Sequence, residues 1–170
     1  MCVAYADPPY PGCAHLYPEN EEVDHALLVQ RLVDEFPDGW ALSTHSPGLR
    51  SVLPLCPEDV RVMAWVKPFA VFKPNVGIAY AWEPVIVRGG RRRTREQPTV
   101  RDWVSENITL RRGMVGAKPE AFCWWLFDVL NLQDGDELVD LFPGSGAVTA
   151  AWRRWLGIEK QMMFGAEVFA

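Results

Sequence analysis

The chain has 170 residues, 49% of them apolar, and a formal net charge of −5. That length supports one sizeable core and leaves little room for a second, so residues 1–170 are read as a single domain. The acidic balance excludes a surface that grips phosphate throughout, and no apolar run approaches the roughly 20 residues of a membrane span.

In chain order, the apolar run Cys2 to Ala6 ends at Asp7 and a double proline, which predicts a buried strand entering a rigid loop. Val23, Leu27, Leu28, Leu32 and Val33 recur at helical spacing between Glu22 and Phe36, and Pro37-Asp38-Gly39 supplies a stop. Trp40 to Thr44 reads as a strand, Pro47 to Leu55 as a short helix or turn, and Val60 to Val66 as another strand. Val76 to Val87 is rich in β-branched and aromatic residues, predicting a strand interrupted at Pro84 by a bulge. From Thr94 to Gly116 periodicity is weak, so residues 88–116 are read as an irregular substrate-contact insertion.

Pro119 at a first-turn position and the apolar run to Leu130 predict a buried helix, and Asp134-Gly135-Asp136 turns it into a strand over Glu137 to Leu141. A helix from Ala147 to Trp155 and a last strand, Gln161 to Glu167, follow. Strands alternating with helices predict a mostly parallel, doubly wound α/β sheet.

Cys2, Cys13, Cys56 and Cys123 are scattered without paired spacing, so free thiols and no metal are expected. His15, His25 and His45 are equally isolated. The N-terminus Met1-Cys2-Val3-Ala4-Tyr5 has no basic region followed by an apolar segment, which leads to the expectation of a soluble, cytoplasmic protein with no membrane partner. Arg88, Arg91, Arg92, Arg93 and Arg95 form a basic stretch, read equally as a solvated loop or a phosphate contact, and Arg111-Arg112 adds a second pair.

Two strand-end loops carry the chemistry, because loops at the carboxyl ends of strands line the crevice of a doubly wound sheet. In Asp7-Pro8-Pro9-Tyr10 the prolines stiffen the chain and remove amide donors, leaving a carboxylate and a carbonyl as acceptors. Acceptors of that kind suit an amino group. An aromatic amine is a poor nucleophile, and two fixed acceptors favour its attacking form, with Tyr10 available to stack on the ring. The alternative is an ordinary proline-rich turn. In Asp140-Leu141-Phe142-Pro143-Gly144-Ser145-Gly146 the glycines let backbone approach a cofactor, or else simply make a tight strand-to-helix turn. Glu167, about 20 residues beyond, stands where an acid clasps ribose hydroxyls, with Glu159 the competing choice.

These loops, in this order and with Ala117-Lys118-Pro119 just before the second, resemble the amino-group methyltransferases of DNA and RNA, in the permuted class where the Asp-Pro-Pro-Tyr motif precedes Phe-x-Gly-x-Gly. The resemblance runs from residue 3 to 167. It implies a minimal, circularly permuted, Rossmann-like class I methyltransferase that uses S-adenosyl-L-methionine. Asp7, Pro8, Pro9 and Tyr10 would be catalytic; Asp7, Lys118, Asp140, Phe142, Pro143, Gly144, Ser145, Gly146 and Glu167 would line the cofactor site. Tyr10, Trp82 in the aromatic-acid-apolar strand Tyr80 to Val87, and Arg91, Arg92, Arg93, Arg111 and Arg112 would meet the substrate. Adenine N6 is the target favoured by the resemblance, ahead of cytosine N4, and DNA is preferred to RNA on the excess of arginine over lysine, 13 against four. A free nucleotide as acceptor and a degenerate, non-enzymatic binding subunit are the rival readings. With a short recognition region and no room for a further strand after Glu167, a homodimer or partner subunit is expected to complete recognition.

Overall fold

β1 (Cys2–Ala6) runs through the middle of the molecule and is buried along nearly its whole length. The computed structural model describes residues 1–17, 21–69, 77–108 and 117–157. Asp24 starts α1 (His25–Glu35) by accepting from the amides of Ala26 and Leu27 at 2.9 and 3.1 Å, so the helix begins one turn later than periodicity predicts. β2 (Gly39–Ser43) follows, then a turn carrying α2 (Leu49–Val52), β3 (Arg61–Val66), β4 (Trp82–Gly89) and β5 (Trp103–Ser105). α3 (Glu120–Leu130), β6 (Glu137–Asp140) and α4 (Ala147–Trp155) complete the described elements.

The strands form one sheet in the order β5-β3-β4-β2-β1-β6. β1 pairs in parallel with both β2 and β6, and β3 with β5, whereas β4 lies antiparallel to β2 and β3. The sheet is therefore mostly parallel, with a single reversed strand among those described. Its central strands alternate in side-chain direction. Val3, Tyr5, Ala41, Val85 and Val87 meet α3 and α4 on one face, through Phe122, Leu126, Phe127, Leu130 and Trp152. Ala4, Ala6, Leu42 and Ile86 meet α1 on the other, through Leu28, Val29 and Leu32. Phe122, Leu126 and Leu130 are each fully buried, a contribution of about 1.5–3 kcal/mol apiece.

Two departures from the sequence reading have clear causes. The strand predicted over Val76 to Val87 occupies Trp82–Gly89 instead, and it passes Pro84 without a bulge, in unbroken register with β3. The Pro84 carbonyl accepts from the Thr44 amide at 3.1 Å, just past the end of β2, so the missing N–H falls where the ladder has already run out. The stretch from Thr94, expected to be irregular, contributes the edge strand β5, which joins β3 in parallel. The strand expected over Gln161 to Glu167 lies outside the described residues.

At the amino ends of the parallel strands, the Asp136 carboxylate accepts from the chain's terminal amine at 2.7 Å and from Arg91 at 2.7 and 2.8 Å. Burial alone would raise this carboxyl, but those two cations hold it down to about 2. Its contribution to stability is complete above about pH 4 and is lost as pH falls towards 2. Asp136→Ala is expected to destabilise the fold by about 2 kcal/mol at pH 7 and by progressively less under acid, measured by urea denaturation across that range.

Candidate active site

The sheet reverses its direction of winding between β1 and β6. The connection from β1 passes through α1 on one face to β2, while the helix after β6, α4, lies on the opposite face. A crevice opens at the carboxyl ends of two such strands. Tyr5 sits beside Asp140 in the ladder, and the Leu141 amide donates to the Tyr5 carbonyl at 2.9 Å. Asp7 and Phe142, each two residues further on, therefore leave the sheet side by side.

In the first loop Pro8 is buried, and the Cys13 amide closes a turn on the Tyr10 carbonyl at 2.8 Å. Lys118 Nζ, 5% exposed, lies 2.8 Å from Asp7 Oδ1 and 2.7 Å from Oδ2. The Tyr10 hydroxyl donates to Glu83 Oε2 at 2.9 Å and approaches Asp7 Oδ1 at 3.2 Å. Glu83 Oε2 is 3.7 Å from Lys118, and Oε1 is bound by Lys67. Two carboxylates and two ammonium groups thus form one chain of contacts, floored by the rings of Trp65 and Phe122, over which Lys118 stands at 5.3 and 5.9 Å.

Burial alone would lower Lys118, but Asp7 and Glu83 outweigh it and raise the ammonium, which stays charged. Burial pulls Glu83 up; Lys118 and Lys67 pull it further down, so it stays ionised. Burial, then the charges of Asp7 and Glu83, push the Tyr10 phenol well above its ordinary value and make it a neutral donor. His45 stacks on Tyr10 with ring centroids 5.4 Å apart and planes 8° from parallel, and burial lowers its imidazole. Beside it, the Tyr5 hydroxyl meets Ser43 Oγ at 2.8 Å.

The second loop ends at Gly146, which begins α4 in a left-handed conformation at φ 70°. Among the described residues, a Cβ there would meet nothing within 4 Å, and no side chain caps the helix. Among the described residues, Asp140 Oδ1 is buried without a hydrogen-bond partner, while Oδ2 meets Thr149 Oγ1 at 3.4 Å. Burial raises this carboxyl. An unpartnered acceptor, free helix-start amides and an open glycine turn together suit a ligand that brings hydroxyl or ammonium donors and a carboxylate.

Asp7, Pro8, Pro9, Tyr10, Lys118, Asp140, Phe142, Pro143, Gly144, Ser145 and Gly146 thus gather at one end of the sheet. The arginines do not join them. Arg88 pairs with Asp59 at 2.8 Å, Arg91 binds Asp136, and Arg93 donates to the carbonyls of Pro98 and Asp128. Because β4 runs against its neighbours, these residues follow its far end, beside Gly39 at the start of β2, and Arg92 travels with them. Trp82 precedes Glu83 in β4 and so points to the opposite face, into a hollow of about 420 Å³ lined by Val62, Ala64, Val66 and Trp103. Arg111, Arg112, Glu159 and Glu167 lie outside the described residues. Lys67 was not singled out from sequence and His45 was read as isolated; Glu83 entered only as the acid of the Tyr80 to Val87 strand, and the strand pairing that joins it to Lys67 is a long-range fact.

A comparison with solved structures finds the M1.HpyAVI–SAM complex, at a TM-score of 0.62 and 12% identity over 91% of this chain and 77% of that one. It also finds M1.HpyAVI at a TM-score of 0.55 and 13% identity, over 91% and 76%. No family model matches the sequence, and no curated protein matches it. The chain shares the mixed α/β, mostly parallel doubly wound fold of those structures. Among the described residues, no helix is long and apolar enough to cross a membrane, and no group of three or more His, Cys, Asp or Glu could hold a metal ion.

Lys118→Met is expected to destabilise the protein by about 3 kcal/mol, because it leaves Asp7 and Glu83 facing one another without a shared cation. Adding Asp7→Asn should recover part of that loss, and chemical denaturation of the single and double variants checks both expectations.

Proposed function

We propose that this chain transfers a methyl group from S-adenosylmethionine to the exocyclic amino group of a nucleic-acid base, with adenine N6 in DNA as the favoured target. The observation that carries the reading is the register of β1 against β6, which sets the Asp-Pro-Pro-Tyr loop beside the glycine turn. Structural likeness to a protein solved with SAM supports the choice of cofactor. So does the fit of the second loop: an unpartnered Asp140 oxygen, an uncapped helix start and open space at Gly146.

Asp140, Phe142, Pro143, Gly144, Ser145 and Gly146 would hold the cofactor, with Lys118 offering charge to its carboxylate and Glu167 a partner for its ribose. When bound, S-adenosylmethionine supplies an electrophilic methyl group on a sulfonium. Asp7 and the Pro8 carbonyl accept hydrogen bonds from the target amine and direct its lone pair, which requires Asp7 to exchange part of its contact with Lys118. Pro8 and Pro9 keep those acceptors from moving. Tyr10 stacks on the base, which must be unpaired or flipped out, at a cost of a few kcal/mol for flipping.

A second reading, methylation of a free nucleotide or small aromatic amine, is favoured by the distance of Arg91 and Arg93 from the loops, since the described phosphate-binding candidates sit at the other end of the sheet. Incubation with labelled S-adenosylmethionine and a panel of DNA, RNA and nucleotides, followed by nucleoside mass spectrometry, separates the two. Label in N6-methyldeoxyadenosine from DNA is the expected result; label only in free nucleotides favours the second reading, and no label in any acceptor contradicts both. Asp7→Ala is expected to lower transfer by about a hundredfold or more while calorimetric cofactor affinity stays within about threefold. Gly146→Trp is expected to abolish cofactor binding.

A further inference from the structure

Glu83 and Lys67 lie outside both loops and have no part in the transfer set out above. β3 and β4 bring them together: Trp65 pairs with Glu83, Val66 with Trp82, and the Lys67 amide donates to the Ala81 carbonyl at 2.7 Å. The Lys67 and Glu83 side chains are 13% and 15% exposed. Glu83 Oε1 is taken by Lys67, while Oε2 accepts from the Tyr10 hydroxyl at 2.9 Å and lies 3.7 Å from Lys118 Nζ. Lys67 is itself fixed over the Trp65 indole at 4.9 Å. Both partners of Asp7, Tyr10 and Lys118, are therefore tied to one carboxylate on another strand.

We propose that Glu83, anchored by Lys67, is a positioning residue: a strut from β4 to the catalytic loop that fixes the plane of the Tyr10 ring and holds part of the Lys118 charge away from Asp7. The prolines stiffen the backbone of the loop but leave the tyrosine side chain its own torsions. His45 fixes the ring by one face and Glu83 by its hydroxyl, so a stacking wall exists before any base arrives. Glu83 also gives Lys118 a second counter-charge. Without it the ammonium has only Asp7 to neutralise it, and the contact that the amino group must displace becomes tighter.

This inference rests on the base-methylation reading, and its test is a set of variants assayed on single-stranded DNA that the wild type labels. Glu83→Gln and Lys67→Met are each expected to raise KM for the oligonucleotide about tenfold, the loss of one charge-assisted hydrogen bond, with calorimetric affinity for S-adenosylmethionine unchanged. Lys67→Arg, which keeps the anchor's charge, should behave as wild type. Tyr10→Phe combined with Glu83→Gln should cost little more than Glu83→Gln alone, because both disrupt the same charge-assisted bond between phenol and carboxylate. Additive penalties in that pair, or a wild-type KM in Lys67→Met, would overturn the strut while leaving the methylation reading intact. A wild type that labels no DNA, RNA or nucleotide would overturn the reading beneath it.

Discussion

The parallel pairing of β1 with β6 is the constraint on which the site depends. Parallel strands must be joined by long crossovers, so two loops separated by more than a hundred residues in sequence can be neighbours only if the core selects this pairing. It does so by alternation. Val3 and Tyr5 bury against α3 and α4 while Ala4 and Ala6 bury against α1. A one-residue slip of β1 would exchange the two faces and turn Asp7 away from Lys118. Phe122 links core to site: it packs against Tyr5 and Trp65 and also lies beneath the Lys118 ammonium.

Above that core the protein holds four charges in one cluster, Lys118 buried and Asp7, Glu83 and Lys67 partly so. Isolated, each would cost several kcal/mol, and they persist because positive and negative groups balance and are hydrogen-bonded to one another. The arrangement contributes little net stability, but it gives each group a fixed place. A neutral phenol already oriented and an ammonium already charged need no reorganisation when a substrate arrives. The same economy is absent at the second loop, where Asp140 Oδ1 stays unpartnered and the carboxyl is raised by burial.

Much of this was legible in the residues. The apolar run into Asp7-Pro8-Pro9-Tyr10, the helical spacing around Leu28 and Leu32, and the glycine turn before Ala147 are local patterns, and they placed β1, α1, α4 and both loops nearly where they lie. The arginines misled because charge density says nothing about which end of a strand it follows. β4 runs against its neighbours and so carries Arg91 away from the crevice while bringing Glu83 into it. Proline at position 84 pointed to a break in the strand, and only the end of β2 beside it explains why none occurs. Lys67 and His45 acquire meaning solely from partners far off in the chain, Glu83 and Tyr10, which no spacing rule connects.

A crystal structure of the protein with sinefungin, an analogue of S-adenosylmethionine with an amine in place of the methyl-bearing sulfonium centre, tests the shared crevice most directly. That amine is expected to lie within about 4 Å of the Asp7 carboxylate or the Pro8 carbonyl, with the rest of the ligand against Asp140 and the glycine turn. A ligand bound elsewhere, or bound at the glycine turn with its amine directed away from Asp7, would contradict it.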